Sequence, residues 1–250
     1  MYSRNYKNII LRNIDHGDLH FFEENMEAIK LPMWFTLTPR GKPIEYAYFI
    51  ETGIAAIVAS MGRGRDVEVG LIGFEGMTGA AAVLGNDCAP HECVMLMAGE
   101  GVRVPIATLA LAVSRSPRLR LLLLRYTQTL YVQATCCALS NVRSRLEERL
   151  ARLLLRCHDR VVGNTIPITH EVLAVMLGIQ RPRVTLGLHI LEGEGLIRAN
   201  RGAIIVRHRD SLIRRARGSY GVPVAEYDRL IGVVPRRPRK TSYGFVPSAR

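Results

Sequence analysis

Residues 169–185 contain several side chains that could read the edges of DNA bases. An arginine guanidinium donates two hydrogen bonds in a fork that matches O6 and N7 of guanine, and Arg181 and Arg183 lie close together in this segment. Hydrogen-bonding groups of other types accompany them: Thr169, His170, Gln180 and Thr185. Pro182 separates the two arginines. Presented together at one helix end, these groups would give sequence-selective binding to double-stranded DNA.

Two short helices joined by a tight turn are predicted to position these side chains. Thr169 is a favourable N-cap for the first helix, which continues through the apolar residues of 172–177. Gly178 is predicted to end that helix, because a left-handed residue costs least without a Cβ atom. Pro182 suits the first turn of the second helix, where a missing N–H costs little. The inward face of the second helix is apolar at helical spacing: Val184, Leu188 and Leu191.

A β-hairpin pattern follows directly after these helices. Two β-prone runs within 196–206 surround Asn200-Arg201-Gly202, a favourable turn sequence. Behind a helix-turn-helix such a hairpin forms a wing, from which we expect Arg198 and Arg201 to reach DNA phosphates. The two helices alone would also fit an ordinary αα-hairpin, whereas helix, turn, helix and wing together are a specific pattern. The sequence therefore predicts a winged helix-turn-helix.

The composition limits the class of protein. The chain has 250 residues, of which 48% are hydrophobic, so it can bury the cores of about two domains. Its formal net charge of +12 suits a polyanionic partner, and taken alone it would also suit an anionic membrane surface. The first residues do not have the basic, apolar and small pattern expected of a signal sequence. The leucine-rich run 119–124 is too short to span a bilayer, and the five cysteines form no secreted-type framework. We therefore expect a cytoplasmic protein with no membrane partner.

The pattern of the chain changes from strands to helices after the first hundred residues. Short β-prone runs occupy 31–105, after one or two short helices, at the roughly ten-residue spacing of a sandwich or barrel. Ser116 and Pro117 predict the start of a helix that runs to about Asn141. We predict an α+β protein with four successive parts: a β domain (1–115), a long helix (116–141), a winged helix-turn-helix domain (142–217) and a C-terminal extension (218–250). The basic, proline-rich tail of the extension is predicted to be disordered.

One face of the predicted long helix carries an apolar stripe. Its members recur at steps of three and four residues: Leu119, Leu123, Tyr126, Leu130, Gln133 and Cys137. A long apolar helix between two domains is a natural subunit interface, so we predict a homodimer through this stripe. The alternative is that the stripe packs on its own β domain, and both could hold on different faces of the helix.

The order β domain, long helix, winged helix-turn-helix resembles the Crp/Fnr superfamily of bacterial transcription regulators. The resemblance covers about residues 20–210 and is most specific in 169–185. Segments 148–155, 48–53 and 75–79 are similar to the helix that enters the family's DNA domain and to parts of its sensor roll. The resemblance implies a cyclic-nucleotide-binding-like antiparallel β-roll (a jelly roll) that senses a signal, and a homodimer whose long helix reorients paired DNA domains. It also implies RNA polymerase as a partner.

The effector site departs from the family pattern. Relatives that bind cyclic AMP use a Gly-Glu pair on one side of a short loop and an Arg-Ser or Arg-Thr pair on the other. Here Gly79 is followed by Ala80, and Pro90 begins the far side of the loop. Without the arginine, a bound phosphate would lose its water and gain no charge partner, at a cost of several kcal/mol. We therefore expect no cyclic AMP binding in the usual mode.

Cysteines and a histidine lie in the same loop. The effector-pocket candidates are Gly79, Ala80, Cys88, His91 and Cys93. Their ligand types suit zinc or iron, but the spacing matches no closed site, and a polar turn with two incidental thiols is the alternative. No cysteine precedes Cys88, which excludes the family's N-terminal iron–sulfur cluster. We predict no metal and no cofactor, and the sequence does not identify a small-molecule effector.

The predicted recognition helix also differs from the family pattern. Relatives commonly place an Arg-Glu pair early in this helix and another arginine four residues after the glutamate. Arg181 is kept, but Pro182 and Leu186 replace the glutamate and the later arginine. A glutamate contact to cytosine is lost, and Arg183 with Thr185 could replace part of that recognition. We expect a two-fold operator that differs from the family's best-known consensus.

The sequence leaves alternatives to a specific transcription regulator. An enzyme is not expected, because the chain has no phosphate loop, no Gly-x-Ser-x-Gly and no His-Glu-x-x-His motif. A ligand- or redox-binding protein with an accessory helical domain is one alternative, with Cys136 and Cys137 as either redox groups or small buried apolar side chains. The net charge alone would also allow a non-specific nucleic-acid binder.

Overall fold

Antiparallel strands of the N-terminal half pair into two sheets in the computed structural model, which describes residues 6–62 and 66–232. One sheet consists, in spatial order, of Glu27–Leu31 (β1), Gly99–Pro105 (β7) and Tyr46–Ile50 (β3). The other consists of Thr36–Thr38 (β2), Glu92–Met97 (β6), Ile54–Ser60 (β4) and Asp66–Ile72 (β5). Strands of both sheets contribute to one buried apolar cluster that includes Leu31, Ile50, Ile72 and Met95. The predicted antiparallel β-roll is confirmed.

Helices flank the roll and form most of the C-terminal half. Those of the N-terminal half are Ile9–Arg12 (α1), His16–Glu23 (α2), Ala80–Val83 (α3) and Ile106–Arg115 (α4), followed by the long helix Pro117–Arg143 (α5). The C-terminal half contains Leu146–His158 (α6), His170–Leu177 (α7), Arg181–Gly193 (α8), Arg209–Arg215 (α9) and Gly221–Leu230 (α10). Its strands are Thr165–Ile166 (β8), Ile197–Asn200 (β9) and Ala203–Val206 (β10). In the described part of the chain, no helix is both long and apolar enough to cross a membrane.

Strand β1 occupies residues at the end of the region that the sequence predicts to be helical, so that the helices end earlier than expected. Helices α1 and α2 end at Arg12 and Glu23, and residues 27–31 pair with β7 so that Glu27 lies opposite Arg103. These two side chains form an ion pair at 2.7 Å. Apolar residues in this segment suit either a helix or a strand, and the sheet partner far along the chain decides between them.

Helix α5 begins where the sequence predicts and lies against the roll of its own chain. The Ser116 hydroxyl oxygen accepts a hydrogen bond from the Leu119 N–H at 3.2 Å, and Pro117 occupies the first turn. Further along the helix, the Tyr126 hydroxyl donates to the Met77 carbonyl oxygen at 2.9 Å and accepts from the Met77 N–H at 3.0 Å. These bonds fix α5 on the turn that precedes α3.

The stripe predicted to form the dimer interface is buried within one chain. Five of its members are at most 9% exposed: Leu119, Leu123, Tyr126, Gln133 and Cys137. Leu130 is half-buried against the roll, and the Gln133 amide bonds both the N–H and the carbonyl of Leu71 on β5, at 3.2 and 3.3 Å. Because these side chains contact the roll, they offer no surface to a second copy. The assignment of this stripe to a subunit interface is therefore corrected, and the alternative of packing on the chain's own β domain describes it.

The opposite side of α5, here called the outer face, is rich in exposed apolar side chains. Its members alternate steps of three and four residues: Leu121, Leu124, Gln128, Tyr131, Thr135, Ala138 and Val142. Tyr131 is 64% exposed and Val142 is 82% exposed. This alternation keeps the side chains in one line along a helix, and large apolar side chains in such a row mark an interaction surface.

Buried charge pairs join the roll to the helix after α5. Arg156 on α6 donates to Glu68 on β5 at 2.9 Å, with both side chains at most 7% exposed. Just beyond α6, Arg160 pairs with Glu75 at 2.5 Å. The turn after α7 also lies against β5, so the C-terminal half contacts the roll at more than one place.

Helix α10 lies between the two halves of the molecule. Val224 packs into an apolar cluster shared by the roll strands and the C-terminal helices, whereas Tyr227 and Ile231 pack into the core formed by the roll and α5. The Tyr227 hydroxyl donates to the Glu75 carbonyl oxygen at 2.5 Å. The basic tail for which we predict disorder begins at Pro235 and lies outside the described residues.

Candidate nucleic-acid interface

Helix α7 and the turn after it have the capping groups that the sequence predicts. The Thr169 hydroxyl oxygen accepts from the Val172 N–H at 3.2 Å, which satisfies one free donor of the first turn. Gly178 ends the helix in the left-handed conformation, with φ of 62°. Arg149 on α6 donates to the Leu177 carbonyl oxygen at 2.6 Å and so supports the end of α7. A partner 28 residues away leaves no local sequence signal.

Helix α8 is anchored by one buried face. Val184, Leu188 and Leu191 are at most 1% exposed, as their spacing predicts. Gly187 lies on the same face, where a Cβ atom would collide with the Leu150 side chain of α6. An added Cβ would have to displace the terminal methyl group of the buried Leu150 side chain, so the close crossing of α6 and α8 favours glycine at this position.

The opposite side of the α8 N-terminus is exposed. Arg181, Pro182 and Arg183 are exposed there, and the first turn contains no acidic residue. The helix dipole places partial positive charge at this end, so an anion is favoured beside the two guanidiniums. Leu186 is 63% exposed one turn further along. The structure thus brings the predicted arginines to one surface.

His170 and Thr185 contact each other across the two helices. The His170 Nδ1 atom lies 2.9 Å from the Thr185 hydroxyl, which also donates to the Arg181 carbonyl oxygen at 3.2 Å. Burial, then the neighbouring charges of Arg181 and His189, lowers the pKa of His170. His170 is therefore largely neutral at pH 7, and both side chains help to join α7 to α8. Gln180 caps α8 through its backbone and is exposed, with no side-chain cap bond.

The wing is a three-stranded sheet in the order β8-β10-β9. Arg198 is exposed on β9, and Arg201 is exposed at the β9–β10 turn beside Gly202, whose φ is 75°. The Ala199 N–H donates to the Glu192 carboxylate at 3.0 Å, which ties the wing to α8. Both predicted wing arginines are thus presented to solvent on a hairpin fixed to α8.

The roll has a pocket at the predicted effector position, and this pocket is partly open to solvent. Gly79 has φ of 86° and precedes α3, so Ala80 is the first residue of that helix. His91 and Cys93 also line this pocket, whereas Cys88 does not. Burial, with a smaller effect of the nearby Glu92, raises the pKa of Cys93 to about 12, so its thiol is protonated at neutral pH. Over residues 6–62 and 66–232, no group of three or more His, Cys, Asp or Glu side chains is placed to hold a metal.

Residues 148–215 match the family model of the Crp-like helix-turn-helix domain. The match begins in α6 and ends with α9, so it contains α7, α8 and the wing. Helix α10 lies beyond it. No curated protein matches the sequence significantly.

Solved structures of Crp/Fnr regulators have the same fold as this chain. FixK2 from Bradyrhizobium japonicum superposes with a TM-score of 0.67 at 18% identity, covering 76% of this chain and 96% of its own. The c-di-GMP-responsive regulator CLP from Xanthomonas campestris gives 0.63 at 17%, covering 77% and 99%. A Crp/Fnr-family transcriptional regulator from Thermus thermophilus gives 0.58 at 20%, covering 77% and 100%. The chain therefore has the Crp/Fnr fold and contains a Crp-like helix-turn-helix domain, and the resemblance drawn from the sequence is confirmed.

Proposed function

We propose that this chain is a sequence-specific transcription regulator that binds a two-fold symmetric operator as a homodimer. The observation that carries the proposal is the exposed N-terminal end of α8. There Arg181 and Arg183 lie together on a helix whose opposite face is buried and whose position is fixed by the turn at Gly178. In this arrangement Arg181 reads base edges in the major groove, while Arg198 and Arg201 contact phosphates from the wing.

We place the dimer interface on the outer face of α5. Two copies packed along Leu124, Tyr131 and the rest of that face would bury apolar side chains that are exposed in a single chain. Paired chains would present two recognition helices to half-sites about 34–36 Å apart, or a multiple of it, along the DNA. The outer face therefore supports the two-fold form of the proposed operator.

We further propose that RNA polymerase is a protein partner and that cyclic nucleotides are not effectors. The ground for the polymerase is the resemblance of this chain to Crp/Fnr regulators. A cyclic nucleotide is not proposed as an effector, because Ala80 and Pro90 occupy the positions of the family's carboxylate and arginine. The described residues that line the roll pocket also include no lysine or arginine to neutralise a phosphate.

Selection of binding sites from a random duplex pool with the purified protein tests the function. The affinity for a selected duplex is then compared with that for a scrambled duplex over a range of salt concentrations. A specific regulator should prefer the selected duplex by about 10³ or more. Equal affinities at every salt concentration would contradict the proposal and identify a non-specific binder, which the net charge of +12 would also suit.

A further inference from the structure

A buried cluster of three charged side chains and one cysteine lies where α5, α6 and β5 meet. Its members, each at most 7% exposed, are Glu68 of β5, Cys137 of α5, and Arg152 and Arg156 of α6. Arg156 pairs with Glu68 at 2.9 Å, so these two charges offset each other. Within residues 6–62 and 66–232, every hydrogen bond that the Arg152 side chain donates goes to the Cys137 sulfur, at 2.6 and 3.5 Å.

The charges of this cluster balance when the Cys137 sulfur is anionic. A buried guanidinium that meets no opposite charge is costly. Two guanidiniums and one carboxylate leave one positive charge, and a thiolate that accepts from Arg152, and from Nη1 of Arg156 at 3.5 Å, supplies the negative one. A neutral thiol would instead donate to Glu68, but the distance from Sγ to Oε1 is 3.9 Å and a thiol is a weak donor. That arrangement would leave Arg152 without a counter-charge.

A narrow pocket lies beside the cluster. Its wall includes Cys137 and Arg152 together with Ser140, Asn141 and Arg149, so a further guanidinium contributes to it. The pocket is partly open to solvent, and its volume of about 10 Å³ is roughly the space that one water molecule needs. Hydrogen peroxide is only slightly larger than water, whereas a larger electrophile has no room beside a side chain that is 2% exposed.

We propose that Cys137 is a site of oxidation by hydrogen peroxide. The thiolate sulfur attacks one peroxide oxygen, so that an S–O bond forms as the O–O bond breaks and the side chain becomes a sulfenic acid. The sulfur gives up the two electrons that reduce the peroxide. The second oxygen leaves as hydroxide and takes a proton from solvent to become water. Arg152 holds the sulfur in its nucleophilic form and acts as a positioning residue.

Oxidation at this place acts on the junction between the roll and the C-terminal half. An added oxygen in a closely packed site displaces the α6 guanidiniums that bond the sulfur. Because α6 packs against α8, such a shift moves the helix that carries Arg181 and Arg183. This part of the proposal rests on the proposed function, and we expect the oxidised protein to bind its operator more weakly.

The rate of oxidation of each cysteine in the wild-type protein tests the chemistry. The reduced full-length protein is exposed briefly to hydrogen peroxide and then unfolded in dimedone, and mass spectrometry locates the trapped sulfenic acids. Cys137 should be labelled about tenfold or more faster than its neighbour Cys136, although Cys136 is more exposed, because burial raises the pKa of Cys136. Cys157 is the internal control for burial: its pKa is raised to about 12, so it should stay unlabelled.

A pair of variants tests the role of the guanidinium. Arg152→Met keeps most of the side-chain length but removes the charge, so labelling of Cys137 should slow about tenfold or more. Arg143→Met is the matched control, since Arg143 is exposed near the end of α5 and does not line the pocket; its labelling rate should equal that of wild type. tert-Butyl hydroperoxide, which carries the same O–O bond on a bulkier group, should label Cys137 much more slowly than hydrogen peroxide. Circular dichroism shows that each variant is folded.

The proposal is overturned if Cys137 in wild type is labelled no faster than Cys157, or if folded Arg152→Met is labelled as fast as wild type. Peroxide should lower the operator affinity of wild type about threefold or more and leave that of Cys137→Ser unchanged. Unchanged operator affinity of the labelled wild type would overturn the regulatory effect. The labelling contains no DNA, so its failure is distinct from a failure of the reduced protein to bind DNA specifically.

Discussion

Arg181 is the side chain that we propose enters the major groove. It is exposed at the start of α8, and a bidentate contact to guanine is worth about 1–3 kcal/mol of discrimination. We expect Arg181→Ala to weaken binding to the selected operator by that amount and to relax selectivity at one symmetric base pair. Site selection repeated with the variant measures both effects. Equal weakening on selected and scrambled duplexes would show that Arg181 contacts the backbone instead.

Arg201 is exposed at the wing turn, from which we propose that it contacts DNA phosphates. We expect Arg201→Ala to weaken binding to all duplexes about equally. The slope of log affinity against log salt should fall by roughly 1 per half-site. Fluorescence anisotropy over a salt series measures this slope. A changed selected sequence with an unchanged slope would assign base recognition to the wing.

Cysteine reactivity should differ sharply between positions in the folded protein. Burial raises the pKa of Cys93 and of Cys157 to about 12. At pH 8 only about one molecule in 10⁴ then carries the reactive thiolate at either position. Cys88 is half-buried and lies outside the lining of the roll pocket, so iodoacetamide should alkylate it first. Mass spectrometry of timed digests follows the reaction, and labelling of Cys93 or Cys157 as fast as Cys88 would be the contrary result.

At the scale of elements, α5 has two faces with different roles. We expect wild-type protein to sediment at about twice 27.9 kDa. Leu124→Glu combined with Tyr131→Glu should give a folded monomer with much weaker operator binding, because both residues lie on the exposed outer face.

Leu123→Glu is the matched comparison on the buried side of α5. Leu123 is fully buried, so a carboxylate there would be desolvated and should unfold the roll. Circular dichroism separates loss of fold from loss of association. A Leu124/Tyr131 double variant that remains dimeric would exclude the outer face as the interface.

The crossing of α6 and α8 depends on a missing side chain. An added Cβ at Gly187 would collide with Leu150, so Gly187→Ala should lower the free energy of unfolding by about 1–3 kcal/mol. Gly193→Ala is the control on the same helix, since an added Cβ there meets open space. It should leave stability unchanged or raise it by up to about 1 kcal/mol. Urea titration compares the two, and equal stabilities would show that the crossing tolerates a methyl group.

The helix-turn-helix could be predicted because its sequence signals are local, whereas contacts between distant residues leave no such signal. The cap at Thr169, the turn at Gly178 and the period of α8 each lie within a few residues of the structure they specify. Both faces of α5 are apolar, so the sequence does not say which one packs on the roll. Which face packs on the roll depends on contacts such as the hydrogen bond between Gln133 and Leu71, which are 62 residues apart.

At the scale of the whole molecule, the two halves meet through a shared apolar cluster and through buried charge pairs. The Arg156–Glu68 and Arg160–Glu75 pairs link residues 88 and 85 positions apart. Since a buried ion pair needs good geometry to offset its desolvation, these pairs favour one arrangement of the C-terminal half on the roll. Charge composition alone does not reveal such partners, which is why the sequence predicts the parts of this molecule more fully than their relative position.

The hydrogen bond from Tyr227 to the Glu75 carbonyl has a consequence for the order of events during synthesis. Its two ends are 152 residues apart. At translation rates of about 5–20 residues per second, roughly 8 to 30 seconds separate the appearance of the acceptor from that of its donor. A nascent roll that folds early therefore exposes the surface later covered by α10. The docking of the C-terminal half is completed only after Tyr227 has left the ribosome.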